Sequence, residues 1–277
     1  MNHTKIIIAC HKPGPIFQDD TYMPLHVGRL VSPYKEEMTD IAGDDTGFNI
    51  SEKNPMYCEL TAQYWAWKNL HDVEYIGFCH YRRFFDINTN CIKDYLKTND
   101  AIVLKYIFDH PIWREIVHFI SIEDLTILMM VIKKIYPEYE KTMINYLYGN
   151  ILYPKNMLIC KKALFDQYAE WLFNILFECE KKMRPSSYTR GKRALAYMGE
   201  YLLPVYMMHN HYRLKIAGLV EHPGQHQDIS IKSKIRKSLL LMNRYIVNHF
   251  FTKKPSSFEE FYLPEVLVGF KNDGIEI

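Results

Sequence analysis

The sequence predicts an α/β fold: a sandwich built on a mostly parallel central sheet, with a helical insertion and a C-terminal helical appendage. Three observations predict it. Residues 5–10, 75–79 and 156–160 are short, nearly unbroken apolar runs, the pattern of strands buried on both faces. Between them lie segments whose apolar residues recur at three- and four-residue steps, as in amphipathic helices. Their alternation along 277 residues gives helices layered on a sheet, with length enough for a large core.

The elements follow in order. Residues 5–10, Lys-Ile-Ile-Ile-Ala-Cys, read as a first strand, closed by His11-Lys12-Pro13-Gly14-Pro15. Residues 17–53 show little periodicity and many turn formers, and a loop of that length is usually functional or mobile. Its acidic pair, Asp44-Asp45, suits a metal or a sugar hydroxyl, with a solvated turn the slightly favoured alternative. A helix is expected over residues 54–70, with Asn54 as N-cap and Pro55 at the first helical position. Glu59 on this helix reads equally as a surface charge or a buried, paired one. The next strand begins at Tyr75 and ends in His80-Tyr81-Arg82-Arg83-Phe84-Phe85-Asp86.

A further strand is expected over residues 101–104. Ser121-Ile122-Glu123-Asp124 resembles a capping box for a helix over residues 125–135, and Pro137 opens a second helix ending near Gly149. This pair reads as an insertion over the sheet, suited to acceptor recognition. Residues 156–160 are another buried strand, followed by an amphipathic helix over residues 162–182. The helix containing Arg193 and Glu200 is expected to be interrupted at Pro204. Residues 212–220 read as one last strand. The last sheet strand closes by about residue 225 and from Lys232 the composition changes, which suggests domains at 1–225 and 226–277. Residues 232–254 form a basic amphipathic segment, either an anchor on an anionic membrane surface or a helix packed on the core. The tail beyond Pro255 carries Phe258, Phe261, Tyr262 and Leu263, enough to dock back.

Composition excludes some classes. Charged residues at 24% and hydrophobic residues at 48% describe an ordinary globular chain. A net charge of +2 argues against a nucleic-acid binder. The 21 tyrosines suit sugar or base stacking, but also a Tyr-rich core. Six cysteines without CxxC or zinc spacing read as reduced core thiols of a cytoplasmic protein. The chain opens directly into a strand with no signal-peptide core, and no apolar run approaches the roughly 20 residues of a membrane span. A soluble or peripheral protein is expected.

The motifs narrow the chemistry further. There is no GxGxxG, GxxxxGK[ST], GxSxG or HExxH. What stands out is the strand end at His80, Tyr81, Arg82 and Arg83, with the basic tip His11-Lys12 as its neighbour in a parallel sheet. Ligands of such sheets bind beyond the carboxyl ends of the strands. Guanidinium groups boxed by aromatic residues are set for forked contacts to phosphate or carboxylate. Solvated surface charge is the bland alternative. Glu200 adds one acid in a Gly-Glu helix start or turn, so cations could neutralise a departing diphosphate while a carboxylate deprotonates an incoming hydroxyl. Asn54, Asp86, Asn156 and Arg193 complete the expected substrate contacts.

Several stretches together resemble a known family. They are residues 9–12 (Ala-Cys-His-Lys), Asn49-Ile50-Ser51 with Lys53-Asn54, and Tyr57-Cys58-Glu59-Leu60-Thr61 with residues 64–69 (Tyr-Trp-Ala-Trp-Lys-Asn). Residues 75–84, 156–159 and 170–173 join them. Over roughly residues 5–225 the chain is similar to the "domain of unknown function 4422" family of glycosyltransferases from bacterial capsule and exopolysaccharide clusters. The resemblance implies a GT-A-like, Rossmann-type fold and hexosyl transfer from a nucleotide sugar, a UDP-sugar above all. The acceptor would be a glycan or lipid-linked saccharide in capsule, exopolysaccharide or O-antigen synthesis, met at the inner face of the cell membrane. It gives Glu200 the place of the catalytic base of inverting enzymes, with Asp44 and Asp45 as alternative acids and a structural pair with Arg193 as the competing reading. The Asp-x-Asp motif of most such enzymes is missing. Either fixed cations replace the metal, or His80 and Asp86 hold Mn²⁺ or Mg²⁺, which two adjacent arginines oppose. A non-catalytic carbohydrate- or nucleotide-binding module is the alternative from another class. A nucleotidyl- or phosphotransferase would need clustered carboxylates that the sequence lacks.

Overall fold

The computed structural model describes residues 4–226 and 230–275. Strand β1 (Thr4–Cys10) leads to β2 (Tyr22–His26) and the two-residue β3 (Ala42–Gly43). These two strands lie within the stretch expected to be loop. Pro24 and His26 hide the pattern of β2. A proline is tolerated there because β3 pairs only with Leu25 and His26, so no outer partner requires the missing N–H. The helix expected over residues 54–70 is two helices, α1 (Asn54–Tyr57) and α2 (Leu60–Asn69). The break falls at Cys58, whose φ of 48° is left-handed, and Asn54 does not cap. Its amide donates forward to the Cys58 carbonyl at 2.8 Å and to Thr61 Oγ1 at 3.2 Å.

Then come β4 (Tyr75–His80), β5 (Phe84–Asp86), α3 (Ile92–Thr98), β6 (Ala101–Val103), β7 (Tyr106–Ile107) and α4 (Ile112–Ile116). Helix α5 (Ile122–Ile135) starts as expected, with Ser121 Oγ accepting from the Asp124 N–H at 3.0 Å. It is followed by α6 (Glu140–Tyr148), β8 (Ile151–Leu152), β9 (Leu158–Lys161), α7 (Lys162–Lys182) and α8 (Thr189–Lys192). Helix α9 (Ala194–His209) runs through Pro204, where an interruption was expected. Glu200 is therefore inside a helix, not at its start or in a turn. The expected single last strand is also two, β10 (Leu214–Ile216) and β11 (Gly218–Val220), which join different sheets. Helices α10 (Ile231–Ile246) and α11 (Pro264–Asn272) complete the described chain.

The chain divides into two units, each assembled from three segments. The first comprises residues 1–105, 153–171 and 211–228 and holds a seven-stranded sheet in the order β10-β6-β9-β4-β1-β2-β3. All its pairings are parallel except those of β9, which runs antiparallel between β4 and β6. This single reversal brings the start of β9 beside the carboxyl end of β4. Ile6, Ile8, Cys10, Cys79, Ile102 and Ile159 form one buried cluster with Phe84 and Phe85. Gly77 lets the central strands close, since a Cβ there would lie 2.8 Å from the Ile159 side chain.

The second unit comprises residues 106–152, 172–210 and 229–277, so the expected helical insertion and the C-terminal segment fall in one unit. It is helical apart from the β7–β8 pair. Ile112, Leu128, Ile132, Met143, Leu147 and Leu203 are fully buried in it. The tail docks: Phe258 is buried, its N–H donates to Glu140 Oε1 at 2.7 Å, and Lys133 joins Glu140 to Glu259. Among the described residues no helix is long and apolar enough to cross a membrane.

Candidate active site

Strand β4 reverses direction directly after His80. The His80 N–H donates to the Arg83 carbonyl at 3.1 Å and the Arg83 N–H returns to the His80 carbonyl at 3.0 Å. Tyr81 and Arg82 thus form the tip of a tight turn, anchored beyond it by the buried Phe84 and Phe85. The parallel register of β1 and β4 sets Ala9 opposite His80, which brings the two basic tips side by side. His11 meets the Tyr81 ring edge-on at 5.2 Å, and the Arg82 guanidinium lies 4.9 Å from the centre of that same ring. Arg82 and Arg83 are exposed, while Lys12 is half-buried. The result is a cationic rim whose inner groups are fixed by an aromatic pivot.

Behind the rim is a small recess with an internal volume of about 10 Å³, lined by Glu59, Gln63, Phe78, His80, Lys155 and Asn156 among others. That is about the space of one water, so the recess can seat a single ligand hydroxyl while the rest of a ligand lies in the open beyond it. Its wall is polar and stiff. His80 Nε2 lies 2.9 Å from the Lys155 carbonyl, which can only accept, so Nε2 carries the proton of the neutral ring and Nδ1 the lone pair. Asn156 Nδ2 donates to Glu59 Oε1 at 2.8 Å, and Gln63 Nε2 donates to the Asn156 carbonyl at 2.8 Å. The Gln63 carbonyl oxygen is buried with no donor against it among the described residues, an acceptor that a ligand hydroxyl would satisfy.

Backbone strain concentrates around the same recess. Among the described residues only four non-glycines have positive φ, and three of them are Cys58 (48°), Lys155 (70°) and Asn156 (52°). Lys155 and Asn156 line the recess and Cys58 precedes Glu59. Such conformations persist where the surroundings over-determine them, and they cluster at ligand sites.

The other expected site residues are placed as follows. Asp44 is fully buried, which corrects the solvated turn expected for it. Its carboxylate accepts from the backbone N–H of Gly28 (2.8 Å) and Arg29 (3.2 Å) and from the Ser51 hydroxyl, so it pins the loop. Gly28 reaches it from a φ of 66°, which suits glycine. Asp45 is half-buried. Asp86 pairs with His226 Nδ1 at 2.7 Å on β5, while His80 is engaged by Lys155. Among the described residues no group of three His, Cys, Asp or Glu could hold a metal. Glu200 and Arg193 belong to the second unit. There Arg193 lies 5.6 Å from the centre of the Tyr197 ring. Glu200 is half-buried, and burial, with the charges of Glu115 and Glu200, raises the Tyr201 phenol well above its usual range.

Three lining residues with hydrogen-bonding or charged side chains escaped the sequence reading as site residues: Glu59, Gln63 and Lys155. The four-residue spacing of Glu59 and Gln63 puts both on one face at the start of α2. Nothing in residues 153–156 signals that a carbonyl there would hold His80. The cysteines offer no nucleophile in the core, since burial pushes the Cys10 thiol up to about 12 and also raises Cys79.

No curated protein sequence matches the chain. Among solved structures it is similar to one described as "WbbM bifunctional glycosyltransferase apo structure", with a TM-score of 0.72 and 26% identity. The match covers 83% of this chain and 48% of that one, so the chain spans about half the length of its structural neighbour. The family model described as "Domain of unknown function (DUF4422)" matches residues 5–211, and the chain belongs to that family.

Proposed function

We propose that the chain is a glycosyltransferase, moving a hexosyl group from a UDP-sugar to a hydroxyl of a glycan or lipid-linked saccharide with inversion at the anomeric carbon. The observation that carries this reading is the strand end, where a cationic aromatic rim opens onto a small polar recess. The likeness to a glycosyltransferase structure supports it. Arg82, Arg83 and Lys12 would hold the diphosphate and His11 and Tyr81 would stack at its rim. Gln63, braced by Asn156 and Glu59, would hold a sugar hydroxyl. In the reaction the acceptor hydroxyl loses its proton as its oxygen bonds to the anomeric carbon. The bond from that carbon to the diphosphate oxygen breaks, and UDP leaves with the electron pair. Fixed guanidinium groups would balance the charge that builds on the leaving diphosphate, and no step is routed through a metal.

Glu200 is proposed as the base that takes the proton; this rests on the family resemblance of its position, not on the geometry of the strand end. The setting we infer is polysaccharide assembly, capsule, exopolysaccharide or O-antigen, in the cytoplasm. The test is UDP release from a panel of UDP-sugars, with and without saccharide acceptors, in the presence of EDTA. The parent should turn over, and Glu200→Gln should lose about 10²–10⁴-fold while still binding donor. Donor binding without turnover by the parent would instead indicate a binding module. Glu200→Gln turning over within a few-fold of the parent would make Glu200 structural.

A further inference from the structure

Helix α10 and the residues after it present an unusually one-sided surface. One side of the helix is held within the second unit: Arg244 Nε and Asn248 Nδ2 both donate to the Tyr148 carbonyl, at 2.9 and 2.8 Å. The opposite side is bare. Ile231 is 76% exposed, Ile235 55%, Leu239 53%, Met242 55% and Tyr245 67%, and no residue of the helix is buried. At helical spacing these five fall in one stripe roughly 120° wide. Phe250 and Phe251 extend the apolar exposure beyond the helix, at 68% and 79%. Soluble proteins leave large apolar side chains exposed singly, not in a row of this length.

The charges beside the stripe are all of one sign. Between residues 231 and 258 there are seven Lys and Arg and no Asp or Glu. Lys234 borders the stripe on one side, Lys232 and Arg236 on the other. A second copy laid on this face by two-fold symmetry would set these cations against themselves. An anionic lipid surface complements both the stripe and its borders: the apolar side chains enter the acyl boundary, and the lysine stems extend to the headgroups.

We propose that α10 lies in the plane of an anionic bilayer surface, with Ile231, Ile235, Leu239, Met242 and Tyr245 inserted and Lys232, Lys234 and Arg236 on lipid headgroups. This inference stands on the helix alone and does not depend on the glycosyltransferase reading. The test is flotation of the full chain with vesicles of pure phosphatidylcholine or of an equal mixture with phosphatidylglycerol. Two multiple variants are compared with the parent, Ile235→Glu with Leu239→Glu, and Lys232→Gln with Lys234→Gln and Arg236→Gln. All five positions are solvent-facing, and thermal melts confirm that both variants fold. The parent should float with the anionic vesicles and be released by high salt. The charge variant should partition on the order of 10²-fold more weakly, about fivefold per residue. The glutamate variant should stay behind. Equal flotation on pure phosphatidylcholine, no flotation at all, or flotation indifferent to both variants would overturn the proposal. So would a dimer that forms through this face, dissolves in the glutamate variant and ignores vesicles.

Discussion

Two regions of this chain concentrate cations beside aromatic and apolar side chains, the turn after β4 and the helix α10, and they are built in opposite ways. At the turn every group next to the exposed arginines is braced. Tyr81 lies between His11 and Arg82, His80 is tied to the Lys155 carbonyl, and Phe84 and Phe85 are buried just beyond. Along α10 the apolar side chains touch solvent and the cations from Lys232 to Lys237 are exposed. A braced cation is suited to a ligand of fixed shape, because less side-chain freedom remains to be lost on binding. A loose row of cations suits a surface without fixed geometry, where summed charge and buried apolar area count more than aim. Composition alone does not separate these two uses; neighbouring contacts do.

The contrast predicts that substitutions at buried contacts of the first unit disturb folding and those along α10 do not. The largest effect is expected at Asp44. Asp44→Ala leaves two backbone N–H groups and the Ser51 hydroxyl without their buried acceptor, and should cost roughly 2–3 kcal/mol in denaturant unfolding. A loss below half of that would mean the loop holds without its pin. Next is Asn156, whose left-handed backbone tolerates glycine better than alanine. Asn156→Ala should be less stable than Asn156→Gly by about 1 kcal/mol, although both lose the contact to Glu59. Equal stabilities would show that the backbone there relaxes.

A smaller effect concerns His110 in the second unit. Burial alone would lower its pKa, but hydrogen bonds to Glu115 and Asp109 carry it above the ordinary value. A raised folded pKa contributes stability that is full below the unfolded value of roughly 6.5 and fades as pH rises through the folded one. Parent and His110→Gln should therefore differ most in melting temperature on the acidic side and converge in alkali. A gap that widens with pH would reverse the sign. The smallest change is expected on α10, where Leu239→Ser and Met242→Ser should shift stability by no more than about 0.5 kcal/mol. A larger loss would mean that the stripe is packed, and the contrast with the strand end would fail.

The sequence announces those parts of the fold whose signal is local. Strands β1 and β4 are continuous apolar runs because both faces are covered, and α7 shows its stripe over its whole length. Ser121 caps α5 through residues three apart, which is also local. What stays hidden depends on partners far along the chain. Strand β2 is recognisable only once β1 pairs with it, and the break at Cys58 depends on where the Asn54 amide finds its acceptors. The continuity of α9 through Pro204 shows tertiary packing overriding a local rule. The rim of the site is legible for the same reason as β4, since His80 to Arg83 follow that strand directly. The recess is not: Glu59, Gln63 and Asn156 come together across 93 and 97 residues, through a strand whose reversed direction no residue of its own encodes.

The reading of the turn as a diphosphate site is tested most directly by calorimetric titration of UDP into the parent, Arg82→Ala and the α10 variant Lys232→Gln with Lys234→Gln and Arg236→Gln. If Arg82 holds the diphosphate, its loss should weaken UDP about 10- to 150-fold, the equivalent of roughly 1.5–3 kcal/mol for a hydrogen bond to a charged group. The α10 variant should bind within about twofold of the parent, as expected for exposed charges screened by salt. Unchanged affinity in Arg82→Ala, or a loss as large in the α10 variant, would contradict the assignment of the nucleotide to the strand end.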